Sequence, residues 1–198
     1  MTVAGRAQVA HPAVDPPGSD GLWTFVFIDM VIFLLIFLTF MGERLRNVAL
    51  YSASQLRLKE GFGLANALIL LTSSWMVVLA VAAARTGAAR RVSRALGMAL
   101  ALALAFVVNK IVEYTLEVRG DATPATNSFF SYYYFITFVH LMHVIAGMSF
   151  IAYFRSRSAA HAGTALYQVS LENVGLFWHF VDVLWIFIFP LLYLVGRP

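Results

Sequence analysis

Apolar residues arrive in five long runs, each broken from the next by a short polar or arginine-rich connection. The runs cover about 22–42, 64–84, 95–117, 129–153 and 174–196. A helix crossing a bilayer needs about 20 mostly apolar residues, so the pattern predicts five transmembrane helices. Short connections make successive helices antiparallel neighbours in one bundle. The expected fold is therefore an all-α integral membrane protein, with one five-helix domain over 21–198. The preceding segment, MTVAGRAQVAHPAVDPPGSD (1–20), is rich in Pro, Gly and Ala and has no apolar core. It reads as a disordered tail and not as a cleaved leader.

Arginine placement predicts the orientation. The second connection, RTGAARRVSR, carries four arginines in ten residues, and the fourth adds Arg155 and Arg157. Basic loops stay cytoplasmic, which puts the N-terminus inside. Arg44, Arg46, Arg57 and Lys59 in the first connection pull the other way, so the compact cluster decides.

Composition agrees with the pattern. Hydrophobic residues make up 61% of the 198 and charged residues 12%, about half the charge of a soluble domain. Aromatic side chains, 17 Phe among them, suit a lipid-facing bundle. The chain has no cysteine, which removes thiolate copper centres, cysteine-held iron–sulfur clusters and thiol nucleophiles. A net charge of +4 fits loop arginines near lipid head groups, and no polar domain is present to read nucleic acid.

Ionisable residues inside apolar helices are costly, at about 2.5–3.5 kcal/mol each on insertion scales, and mark sites of function. The first run holds Asp29, with no cation within a turn. The third holds Lys110 and Glu113, three apart and able to pair on one face. The fourth holds His140 and His143, and the fifth holds His179 and Asp182, with Glu172 just before it on the same face. Compared by depth, most lie at mid-membrane or in the cytoplasmic half, and Lys110 and Glu113 lie in the outer half. The expectation is a shared polar seam. A lone H-x-x-H is poor metal-binding evidence, so no metal site is assigned. No E-x-x-H occurs, which removes the carboxylate-bridged di-iron pattern.

These residues carry a resemblance. The fifth run reads E172-N-V-G-L-F-W-H-F-V-D-V-L-W185 and resembles the last helix of subunit III of the haem–copper oxidases, where a Glu precedes W-H-F-V-D-x-x-W. The fourth resembles that family's T-G-x-H-x-x-H-V-x-x-G helix through Thr137, His140, His143, Val144 and Gly147. Glu113 and Tyr114 match its Q-x-x-E-Y helix, and Asn66 and Ser73 match its L-N-T-x-x-L-x-x-S helix. Asp29 stands where the family has an intramembrane Glu. The likeness covers about 20–196, in the form of shorter bacterial members. Lys110 in place of Gln, Phe138 in place of Gly and Asp29 in place of Glu are more similar to the NorE branch, associated with nitric oxide reductases.

The resemblance implies a non-catalytic subunit with no cofactor of its own. Haem and copper would lie in the catalytic partner, of a haem–copper oxidase or a nitric oxide reductase. It also implies structural phospholipid in a polar groove and support for assembly, stability or proton uptake. The groove residues expected are Asp29, Glu113, His140, His143, Glu172, His179 and Asp182. Two other classes stay open: a small b-type cytochrome ligated by two of His140, His143 and His179, and a proton-coupled transporter using Asp29 and Lys110–Glu113.

Overall fold

A computed structural model describes residues 18–196 as helices joined by short turns. The predicted tail is mostly outside the described residues, and its last position, Asp20, is already helical. In chain order the helices are α1 (Asp20–Arg46), α2 (Val48–Arg57), α3 (Glu60–Arg85), α4 (Ala89–Arg119), α5 (Ser128–His161) and α6 (Ala165–Phe189). A π-helical turn, Pro190–Leu194, continues α6. Among the described residues five helices are long and apolar enough to cross a membrane, as the hydrophobic pattern predicts.

Two boundaries differ from the pattern. The last helix begins at Ala165 and not near 174, because Thr164 caps it and accepts from the Tyr167 N–H. A polar first turn carries no hydropathy signal but still forms hydrogen-bonded helix. Glu172 is therefore inside α6. The first connection is also not a loop. Residues 48–57 form the short helix α2, which buries Tyr51, Ser54 and Gln55 on one face. Their three- and four-residue spacing is helical, but ten residues are too few to register as a span.

Helices α3, α4, α5 and α6 form a four-membered ring, with α3–α4 its most extensive seam. Small residues make that seam close: Ala80 and Ala84 on α3 and Ala99 and Ala103 on α4 are all buried. Lipid tails are as apolar as a leucine side chain, so close backbone approach, not hydrophobicity, holds such helices together. Ser73 crosses the seam, its hydroxyl donating to the Ala99 carbonyl over 3.0 Å. On the α5–α6 seam, Gly147 faces the Trp178 ring. A Cβ there would lie 2.5 Å from the indole.

Helix α1 stands outside the ring against α5 and α6. Only 22% of its apolar window is buried, against 56% for the last span. Its buried residues are Val26, Asp29, Phe33 and Phe40, a single stripe. Asp29 thus lies on the one face of α1 that meets protein.

At the opposite end from the N-terminus, α2 fastens the C-terminus. Pro190 lacks an N–H and disturbs the preceding helical turn, and the backbone widens, the Val195 N–H reaching the Pro190 carbonyl at 3.1 Å. The Gln55 side-chain amide donates to the carbonyls of Leu191 and Leu192, at 3.0 and 3.2 Å. Backbone acceptors freed by the irregular turn are satisfied from another helix.

Candidate functional site

The unpartnered carboxylate of the first run has its partner on another helix. Asp29 Oδ2 lies 3.1 Å from Nε2 of His143 on α5. The contact is too far off axis to be a well-formed hydrogen bond, so it is an electrostatic pair. The other ring nitrogen fixes the tautomer. His143 Nδ1 is 2.8 Å from the Val139 carbonyl, which can only accept, so Nδ1 carries a proton. In a neutral imidazole Nε2 is then bare, and two lone-pair groups would face each other in a low-dielectric setting. One further proton removes the conflict, either on the carboxyl or on the ring. The contact links α1 to α5, and both partners are side chains able to take up and release a proton.

His143 also borders a cavity of about 680 Å³ between α1, α5 and α6. Its walls are apolar, with Leu22 and Phe25 on α1, Met142 and Phe150 on α5 and Phe177 on α6. Ser19 and Asn173 close one end, the Ser19 N–H donating to the Asn173 side-chain oxygen at 3.0 Å. The groove has a long hydrocarbon wall and a few polar groups.

Lys110 and Glu113 pair as their spacing predicts, at 2.9 Å and almost completely buried. Lys110 Nζ also donates to the hydroxyls of Tyr133 and Tyr193, at 3.1 and 3.0 Å. The Tyr193 hydroxyl in turn donates to the other Glu113 oxygen at 2.5 Å. Rings of Tyr114, Tyr133, Trp185 and Tyr193 lie within 4.6–5.7 Å of the ammonium. A buried ion pair is tolerable when its remaining donors and acceptors are met and faces of aromatic rings surround the cation. The cluster therefore closes on itself and ties the C-terminal π turn to α4 and α5.

The remaining polar residues form separate sets. His140 is fully buried between the Phe106 and Trp185 rings, and its Nε2 donates to the Val181 carbonyl at 3.0 Å. His179 Nδ1 meets the Ser74 hydroxyl at 2.5 Å, and the same Ser74 side chain engages Asp182. Glu172 pairs with Arg85 at 3.0 Å near the membrane edge. Trp185 Nε1 donates to the Gly63 carbonyl at 3.2 Å. The W-H-F-V-D run thus splits by face, with Trp178 and Trp185 locking α6 to its neighbours and His179 and Asp182 sharing Ser74 on α3.

Of the seven residues expected along one groove, the structure joins Asp29 to His143 at the α1–α5–α6 cavity, and joins His179 to Asp182. Glu113 and His140 sit in two other environments, and Glu172 lines a groove between α3 and α6 together with His179. Ser74, Tyr133 and Tyr193 complete these clusters and were not expected. Each is uncharged and common in helices, and only Ser74, beside Ser73 in an apolar run, leaves a trace in the sequence. Among the described residues no three His, Asp or Glu side chains gather into a metal-binding group. The Nε2 atoms of His140 and His143 are committed to Val181 and Asp29, so the two rings do not present a facing pair to a haem.

Comparison with known proteins adds the family. The family model "Cytochrome c oxidase subunit III" matches residues 8–197. The chain is 27% identical to cytochrome bo(3) ubiquinol oxidase subunit 3 of Pseudomonas aeruginosa, over 98% of this chain and 95% of that one. It is 29% identical to cytochrome c oxidase subunit 3 of Bacillus sp. strain PS3, over 89% and 84%, and 31% identical to that of Alkalihalophilus pseudofirmus, over 89% and 85%. With five spanning helices and a match along nearly its whole length, the chain is a multi-pass protein of the bacterial plasma membrane and belongs to the cytochrome c oxidase subunit III family.

Proposed function

We propose that this chain is the non-catalytic third subunit of a bacterial haem–copper oxidase fed by cytochrome c or by a quinol, and that it supports the assembly, stability and proton supply of the catalytic subunit. The observation that carries this reading is the family match over residues 8–197 in a chain whose membrane-buried histidines are each engaged by protein groups. Haem and copper belong to the partner. The N-terminus faces the cytoplasm, since the α3–α4 turn and the end of α5 then place Arg85, Arg90, Arg91, Arg94, Arg155 and Arg157 inside.

The groove between α1, α5 and α6 holds a phospholipid acyl chain. Its apolar walls and polar end fit such a molecule, and the lipid would fill the gap left by the sparse packing of α1. The Asp29–His143 pair at its border sets a carboxyl beside an imidazole, side chains suited to a proton-supply role.

A nitric oxide reductase partner is the second reading. It rests on Asp29, Lys110 and Phe138, the three departures from the oxidase motifs, and the relatives named above are oxidase subunits. Purification in mild detergent tests both. An oxidase partner gives a complex that contains haem and copper and reduces oxygen. Deleting this chain should leave the chemistry measurable while reducing yield, lifetime or proton uptake. A complex reducing only nitric oxide would replace the first reading with the second. A Soret band from the isolated chain would overturn both.

A further inference from the structure

On the ring of α3 to α6, the α3–α4 edge lies diagonally across from the α5–α6 edge where α1 sits. This edge has a groove of about 460 Å³ at the end of the bundle that carries the α3–α4 turn. We infer that it seats an anionic phospholipid, with the phosphate between Arg91 and Arg94 and an acyl chain running toward Met76 and Met98.

The helical register builds the site. Arg91, Arg94, Ala95 and Met98 lie on one face of α4 at three- and four-residue steps. They face Met76, Leu79, Ala83 and Thr86 of α3 across the groove. Alanines form the floor, which leaves room for a chain to lie in. From Thr86 to Met76 the groove runs about 15 Å along the helix axis, comparable to an extended acyl chain in one leaflet. The polar end is therefore at head-group depth and the thioethers lie in the hydrocarbon.

Charge selects the occupant. Among the described residues the guanidinium groups of Arg91 and Arg94 make no hydrogen bond or ion pair with protein, whereas that of Arg85 is held by Glu172, that of Arg155 by the Ser93 carbonyl and that of Arg57 by the Gly120 carbonyl. At the C-terminal end of α3 the carbonyls of Ala83 and Ala84 are occupied by the N–H groups of Thr86, Gly87 and Ala88. No side chain caps α4, so its first turn adds to the positive field. Two free guanidiniums above an apolar trough match a phosphodiester with a net negative charge, as in basic pockets between membrane helices. A zwitterionic lipid would set its own cation against them.

Native mass spectrometry of the full chain in detergent tests the site, with phosphatidylglycerol, phosphatidylcholine and inorganic phosphate as probes. The wild type is expected to bind phosphatidylglycerol preferentially, and Arg91→Gln/Arg94→Gln to weaken that binding by about 10- to 30-fold. Ala95→Phe keeps both arginines, and hence the topology signal, but fills the trough, and should weaken it similarly. Asp29→Asn, at the other groove, should leave it unchanged. A melting temperature within a few degrees of wild type shows that each variant is folded, and Arg91→Lys/Arg94→Lys serves if the glutamine variant is not. With lysines, retained selectivity at reduced affinity is expected.

Equal binding of the two lipids would overturn the inference. So would unchanged binding in Ala95→Phe, or competition by inorganic phosphate as effective as that by lipid. Loss of lipid binding only when the catalytic subunit is attached would assign this face to the partner instead.

Discussion

Asp29 on α1 and His143 on α5 pair across 3.1 Å, and the other nitrogen of the same ring, Nδ1, is held by the Val139 carbonyl at 2.8 Å. Among the described residues helix α1 has few other polar attachments within the membrane, so this pair ties the helix to α5. An intramembrane carboxylate with no cation within a turn of its own helix is met by an imidazole from another.

Asp29→Asn replaces the carboxyl by an amide that can still donate to a bare Nε2 but cannot release its proton in the functional range. The variant is expected to fold and assemble, with unfolding free energy within about 1 kcal/mol of wild type. Proton uptake by the oxidase complex should fall. Asp29→Leu leaves Nε2 facing hydrocarbon and should be less stable than Asp29→Asn. Denaturant unfolding in mixed micelles and proton uptake after a light or oxygen pulse measure the two effects separately. Equal uptake in wild type and Asp29→Asn would remove Asp29 from proton supply.

Lys110 and Glu113 should behave as a unit. Lys110→Met strands a carboxylate among tyrosine hydroxyls, and Glu113→Gln strands an ammonium, each at a cost of about 3–5 kcal/mol. The double variant Lys110→Met/Glu113→Gln should be less destabilised than the sum of the two, because neither charge is left behind. A double-mutant cycle in unfolding free energy checks this. Strict additivity would mean that the pair is not coupled.

Gly147 is the place where α5 comes closest to α6. Gly147→Ala puts a methyl group 2.5 Å from Trp178 and should cost about 1–3 kcal/mol through displacement of the indole. Gly61→Ala, where a Cβ meets nothing within 4 Å, is the matched control and should be neutral or slightly stabilising. Thermal unfolding followed by tryptophan fluorescence compares them, with the spectral change confined to Gly147→Ala.

Gln55→Leu removes two hydrogen bonds from the amide to the carbonyls of Leu191 and Leu192. The expected loss is about 1–3 kcal/mol for leaving buried acceptors unmet. It should appear locally, as faster amide hydrogen exchange in residues 191–196, before it lowers global stability. Unchanged exchange there would mean that the π turn is held by Tyr193 and the Lys110 cluster alone.

The number of spans, their approximate limits and the Lys110–Glu113 pair were legible in the sequence. Each depends on interactions within a single helix: hydrocarbon length sets a span, and three-residue spacing puts an ammonium beside a carboxylate. The W-H-F-V-D and H-x-x-H-V runs made the family readable for a similar reason, since each lies in one continuous segment. Helix α2 and the first turns of α6 escaped because hydropathy does not register polar residues that gain helix from caps and tertiary contacts.

Only the tertiary structure decided which partner each buried polar group has. Asp29 meets His143 114 positions away in a different helix, and Tyr193 reaches Lys110 and Glu113 from the C-terminal turn. Depth along the membrane suggested one common seam, but rotation of each helix about its axis assigned the residues to separate clusters. That rotation is fixed by side chains filling space between helices, such as Trp178 over Gly147. The sequence determined which segments enter the bilayer, because transfer from water to hydrocarbon is decided residue by residue. The partners inside were left to packing, because helices already in lipid are oriented by shape and hydrogen bonds and not by hydrophobicity.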